Sequence, residues 1–330
     1  MSEVVRPVGV RDVARAAGVS TQTVSRVIND HPNIRPETRM RVLEAMADLG
    51  YRVNNAARAL GTRTTRTLGV VASDATLYGP SVGIAALEAA ARDAGRWIAT
   101  AYADAAVAAS VADAADRLLA QGVDGLIVLA PHAATLEALT ARSGSTPVAA
   151  LHAGLGAERQ AAGGALAIDH LVSLGHRRIA RVTGPLDWLE ATARDGGAAA
   201  ALQSAALVPG PIWAGDWSAS AGFGLAAEVA AAVRTPDGPT AVFVANDQMA
   251  LGLIAGLREA GIAVPGDVSI GGFDDNPDAA FFAPALTTVG LDLAGEARRV
   301  VAEVLGEEAA PVAAPVLRVR ASTAAPPARG

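Results

Sequence analysis

Thr21, Gln22, Ser25 and Arg26 share one side of a helical spacing, and Val24, Val27 and Ile28 take the other. Arginine grips guanine bidentately, glutamine pairs with adenine and threonine meets the thymine methyl, so this set suits a DNA major groove. Ser20 is placed to cap the helix, whose free N-terminal amides attract phosphate. Gly18 permits a tight turn from a preceding helix that carries Val10, Val13, Ala14 and Ala17. A plain helical hairpin with a solvated face would show the same periodicity, but not the charge. Residues 1–66 hold eleven arginines against six acids, a balance of +5, which leaves −11 for the other 264 residues of a chain whose net charge is −6. A basic head on an acidic body is the footprint of local polyanion binding.

The elements that position these residues change character near residue 66. Before it lie short helices only; a third, opened by Pro36, is expected to bury Val42, Leu43, Met46 and Leu49 and to stop at Gly50. After it, buried-strand runs at 68–72, 97–103, 125–131, 147–151, 178–183, 241–246 and 268–273 alternate with helical stretches such as 81–95 and 107–122. That rhythm predicts parallel sheets covered on both faces, too many units for one sheet. The expected fold is a small all-α helix-turn-helix head plus an α/β body of two doubly wound parallel-sheet lobes. Ligands of such sheets bind beyond the carboxyl ends of strands, which makes Asn246 and Asp274 pocket candidates; alternatively, Asp274 simply caps a turn with Asp275. The boundaries are a head at 1–53, a hinge helix and linker at 54–66, a body at 67–322 and a disordered tail at 323–330.

Absences narrow the function. Without cysteine there is no disulfide, thiolate metal site or thiol nucleophile. The N-terminus lacks the apolar run of a signal peptide and no stretch reaches a membrane span, so a cytoplasmic protein that does not engage the membrane is expected. The five histidines show no metal-ligand spacing, and neither His-Glu-x-x-His nor Gly-x-Ser-x-Gly occurs. No enzyme activity, metal or cofactor is expected.

Residues 12–29 read Asp-Val-Ala, two variable residues, Ala-Gly-Val-Ser, then Thr-Val-Ser-Arg-Val and Asn. This long motif resembles the DNA-reading head of the LacI/GalR family of bacterial repressors, and the likeness continues through Thr38-Arg39, 45–49, Tyr51, 169–176, 184–186, 215–218, 244–252 and 284–288. The resemblance implies a regulator, expected to be a repressor, whose affinity for a palindromic double-stranded operator is set by a small molecule, expected to be a carbohydrate, held between the lobes of a periplasmic-binding-protein-like body. Thr21, Gln22 and Arg26 match base-reading positions. Ser20, Thr23, Ser25, Asn29, Thr38, Tyr51 and Asn54 match phosphate and backbone contacts, and Ala57 and Leu60 match a hinge helix that wedges the minor groove. Val53 stands where one member of the family has a proline before the hinge, and Arg11 where that member has a tyrosine.

In the body the resemblance implies effector contacts from Arg194, Trp217, Asn246 and Asp274 over an apolar floor of Leu77 and Pro80. Leu129 and Leu291 stand where a sugar-binding member has asparagine and glutamine, His152 replaces an aspartate, and Glu190 replaces a serine. These changes predict an effector site that does not favour galactosides. The chain's end, with two prolines and no leucine heptads, predicts a homodimer. The rival reading, a sugar-binding transport component, shares the body but calls for a signal peptide and no basic head.

Overall fold

The computed structural model describes residues 8–29, 31–52, 64–73, 76–104, 107–129 and 132–328. The chain divides into two compact units, Met1–Thr65 and Arg66–Gly330. Asn54, Ala57 and Leu60, and with them the hinge expectation, lie outside the described residues.

In the first unit, α1 (Val10–Ala17), α2 (Thr21–Ile28) and α3 (Pro36–Asp48) close around Val13, Ala14, Ala17, Val24, Val27, Val42 and Ala45. Gly18 ends α1 at φ +65°, a left-handed conformation that glycine adopts without strain. Asp12 folds back on the start of α1 and accepts from the Gly9 amide at 3.0 Å. Leu43 departs from the expected core: it is 51% exposed, and Ala45 fills its place. Residues 42, 45, 46 and 49 share one side of a 3.6-residue helix, and 43 lies beside that stripe.

The second unit holds two sheets. The first has the order β2-β1-β3-β4, with β1 (Thr67–Ala72), β2 (Trp97–Tyr102), β3 (Gly125–Val128) and β4 (Val148–Ala150), all parallel. The second has the order β10-β9-β8-β7-β5-β6, with β5 (Ile179–Thr183), β6 (Ile212–Ala214), β7 (Ala241–Val244), β8 (Ser269–Phe273), β9 (Thr287–Gly290) and β10 (Val316–Arg318). Only β10 pairs antiparallel among these described strands.

Both sheets are covered on both faces. Leu68, Val70 and Ala72 of β1 join a core with α4 (Tyr78–Asp93) and α11 (Leu293–Leu305). Val71 turns to the opposite core, under α5 (Ala108–Ala120) and α6 (Ala133–Arg142), the period of two that a strand imposes. In the second lobe, Val242 and Val244 of β7 face α9 (Ala219–Val233) and α10 (Asp247–Glu259), and Phe243 faces α7 (Leu155–Ser173) and α8 (Leu189–Ser204). Because α11 packs on the first lobe while β9 and β10 belong to the second sheet, the chain passes between lobes after β4, after β9 and after α11.

The expected disordered tail is corrected at its start. Ser322 Oγ accepts from the Thr287 amide at 2.8 Å and donates to the Ile270 carbonyl at 2.6 Å. Thr323 Oγ1 meets His170 Nε2 at 3.0 Å. The Ala324 amide donates to Ser269 Oγ at 3.0 Å, and its carbonyl accepts from His176 Nε2 at 2.9 Å. The segment is held by polar pairing beside β8, which hydrophobic periodicity does not register.

Candidate functional site

On the head, Ser20 Oγ accepts from the Thr23 amide at 3.0 Å, so the cap forms as expected and fixes the first turn of α2. Val24 and Val27 are buried beneath it, and Thr21, Gln22, Ser25 and Arg26 are exposed together. Thr23, Asn29, Thr38 and Tyr51 are half-buried. Asn29 Oδ1 is buried without a partner among the described residues.

In the body, a pocket lined by residues of both lobes lies between them. The first lobe supplies Leu77, Gly79 and Pro80 at the start of α4. The second supplies Trp188, Glu190 and Arg194 from the N-terminal end of α8, Trp217 from the turn before α9, Asn246 and Gln248 from the start of α10, and Asp274 after β8. Contacts that bridge the lobes near it include the Tyr78 amide, which donates to Gln248 Oε1 at 3.1 Å, and His132, which pairs with Trp188 as a β-bridge with their rings 5.1 Å apart and places Nδ1 3.3 Å from Asp187 Oδ2.

Arg194 is held through its Nε and NH1. Its Nε donates to Gln160 Oε1 at 2.7 Å, and its NH1 donates to the Ala245 carbonyl at 2.6 Å and faces Asp274 Oδ1 at 3.0 Å. Its guanidinium carbon stands 4.0 Å from the centre of the Phe273 ring, a favourable cation–π geometry. Arginine only donates, so the Gln160 oxygen must face it and the Gln160 amide nitrogen must face His152 Nδ1, 2.9 Å away. His152 is therefore neutral with its proton on Nε2. Burial, then Arg194 and Arg299, hold its pKa down at about 3.

Asn246 spends both ends of its amide on structure. Oδ1 caps α10 by accepting from the Met249 amide, and Nδ2 donates to the Trp217 carbonyl, both at 2.9 Å. The second bond pins Trp217 at φ +76°, and Asp274 sits at φ +108°. Non-glycine residues held in such conformations cluster at binding sites, where surrounding structure overrides the local cost. Gly184 makes room for the indole, since a Cβ there would overlap the Trp217 ring. Trp188 meets Trp217 edge-on at 6.0 Å.

Two buried polar atoms on residues of the pocket lining have no partner among the described residues: Trp217 Nε1 and Glu190 Oε2, on residues 95% and 94% buried. Burial pushes the Glu190 carboxyl up to about 7 against the pull of Arg194 and its own backbone amide. Burial also raises Asp274, again opposed by Arg194. Buried polar groups are rarely left unsatisfied, and these two ask for a ligand or water.

Comparison with known proteins gives the same two parts. Residues 10–54 match the model of bacterial regulatory proteins, lacI family, and residues 168–323 match a periplasmic binding protein-like domain. The lactose operon repressor of Escherichia coli (strain K12) is 35% identical over 295 residues, 87% of this chain and 81% of the relative. The chain belongs to the lacI family of bacterial regulatory proteins. Catabolite control protein A of Priestia megaterium is 31% identical over 91% of this chain and 93% of its own. A lac repressor dimer bound to operator and the anti-inducer ONPF superposes with a TM-score of 0.83 at 32% identity, covering 97% of this chain and all of that one. A CelR–cellobiose complex gives 0.68 at 29% identity, covering 96% of this chain and all of that one. As a lacI-family member the chain is a DNA-binding transcriptional repressor with a ligand-binding body.

Of the positions the family resemblance suggests for the effector, Leu77, Pro80, Glu190, Arg194, Trp217, Asn246 and Asp274 line one pocket. Three do not. Leu129 is buried behind α4 and lines a separate small cavity with Ser73 and Thr135. His152 lies in the passage after β4, with Gln160 between it and Arg194. Leu291 packs on the second-lobe core and opens on a groove beside Tyr78 and Asp275. Neither leucine faces this pocket, so neither strands a sugar hydroxyl within it. Sequence reasoning missed Trp188, Gln248 and Gly79 in the lining and Gln160 behind it. Trp188 and Gln248 were within reach, each two residues from a singled-out position; Gln160, in mid-helix, carried no signal.

Proposed function

We propose that this lacI-family protein acts as a homodimer on a two-fold symmetric operator, reads bases with Thr21, Gln22 and Arg26, and changes operator affinity when a carbohydrate-like effector binds between its lobes. The exposed polar face of the Ser20-capped α2 carries the DNA-reading part. Ser20, Thr23, Ser25, Asn29, Thr38, Tyr51 and Asn54 then hold phosphate and backbone, with Ala57 and Leu60 at the operator centre. A head that reads one half-site needs a symmetric partner to read a palindrome. Phe223, Leu251 and Phe281 leave apolar surface on the body that a second copy would cover. The pocket supports the effector part: it combines a fixed cation, a carboxylate, indole faces and unpartnered polar atoms, the equipment that grips hydroxyls around an apolar ring face.

Ligand can shift operator affinity only by preferring one of two body conformations, so effector binding and operator release must be linked. The test is calorimetry with a panel of mono- and disaccharides on wild type and Asp274→Ala, followed by operator titration with each binder present. Binding that Asp274→Ala weakens and that changes operator affinity supports the reading. A binder indifferent to Asp274→Ala, or one that leaves operator affinity untouched, contradicts it.

A further inference from the structure

The pocket holds one acid too many for a neutral ligand. Its charged lining residues are Arg194, Asp274 and Glu190. Asp274 is matched, with Arg194 NH1 3.0 Å from its Oδ1, and the remaining bonds of Arg194 go to Gln160 and to the Ala245 carbonyl. Glu190 is not in ion-pair contact with that guanidinium, although it lies one helical turn before it on α8. Its Oε2 is buried without a partner among the described residues, on a side chain that lines the pocket. Beside it stand the indoles of Trp188 and Trp217, and the buried Trp217 Nε1–H has no acceptor among the described residues. An N–H donor asks for an oxygen, a lone carboxylate asks for a cation or a strong donor, and indole faces attract ammonium groups.

From this we infer that the effector is an amino sugar or a related amino polyol, with its protonated amine against Glu190 and a hydroxyl or ring oxygen accepting from Trp217 Nε1. This deepens the reading of the pocket as an effector site and rests on it. An ammonium group restores charge balance around Arg194, Asp274 and Glu190. A neutral sugar leaves Glu190 to be buried as a lone charge or to take up a proton, since burial already favours its protonated form.

Matched pairs that differ by one hydroxyl-to-amine exchange test this: glucose with glucosamine, galactose with galactosamine, and glucose with 6-amino-6-deoxyglucose. Calorimetry at pH 7 in two buffers of different ionisation heat reads affinity and proton flow together. The expected result is that at least one amine binds about 10- to 100-fold tighter than its hydroxyl twin, with net proton release as Glu190 ionises. Glu190→Gln should erase that preference, and a thermal melt of the variant shows whether it folds. The comparison on the wild-type chain stands even if the variant does not. Neutral sugars that bind as well as or better than their amine twins, with proton uptake or none, overturn the inference and leave the effector site intact. No binding by any member overturns the inference together with the carbohydrate reading beneath it.

Discussion

Arg194 owes its orientation to partners that are themselves held, and Gln160 is the one whose removal costs the site most cleanly. Gln160→Met keeps the volume and deletes the acceptor for Nε, so a buried charged donor is left unpaired at a cost of about 1–3 kcal/mol. The expected outcome is effector binding weakened roughly 10-fold or more by calorimetry, although Gln160 does not line the pocket; unchanged affinity would show that Asp274 and the Ala245 carbonyl suffice. Titratable groups here also set a pH dependence. Burial and then Asp274 raise the Asp247 carboxyl to about 8, and Glu190 is raised to about 7. Folding favours the protonated form of both. Their contribution is complete below the unfolded pKa near 4 and is lost as pH rises through 7 to 8. His152, held at about 3, contributes stability above its unfolded value near 6.5 and loses it as pH falls towards 3. From about pH 5 to 6 two raised carboxyls outweigh one lowered histidine, so the melting temperature of the protein should be highest at about pH 4 and decline as pH rises towards 8. Asp247→Asn should flatten the alkaline side in scanning calorimetry, and a melting temperature that climbs from pH 6 to 9 would refute the assignment.

At the scale of elements, α2 depends on its first turn. Ser20→Ala removes the cap on the Thr23 amide and is expected to destabilise the head by about 1 kcal/mol. Amide exchange should quicken in residues 21–24 relative to α3, and equal protection before and after would show that the cap is dispensable. The strength of this element is also why it was legible. Ser20, the Val24–Val27 spacing and Gly18 each state a local preference, and the three agree. The strands of the body were legible for a similar reason: β1, β3, β5, β7 and β8 are buried on both faces and read as continuous apolar runs. By contrast, β6 and β10 are three-residue strands that are exposed or half-exposed, set by pairing with a neighbour rather than by their own composition. The site divides along the same line. Residues at strand ends and helix starts, such as Asn246 and Asp274, follow from topology. Leu129, His152 and Leu291 were placed by resemblance alone, and it could not distinguish a wall of the pocket from the layer behind it.

For the molecule as a whole, the proposed reading of two half-sites calls for a symmetric pair. Phe281 is 86% exposed, and Phe281→Asp is expected to shift sedimentation from dimer towards monomer at micromolar concentration and to weaken operator binding with it. A variant that stays dimeric would move the interface elsewhere on the body. The central claim, that α2 reads a specific sequence twice, is most directly tested by selection from a randomised duplex library with the wild-type chain, Gln22→Ala and Arg26→Ala in parallel. The account predicts that the wild type enriches a two-fold symmetric site. Each variant should lose preference at one base pair in each half-site, a discrimination worth about 1–3 kcal/mol. Enrichment of no common site, or of the same site with undiminished preference by both variants, would contradict it.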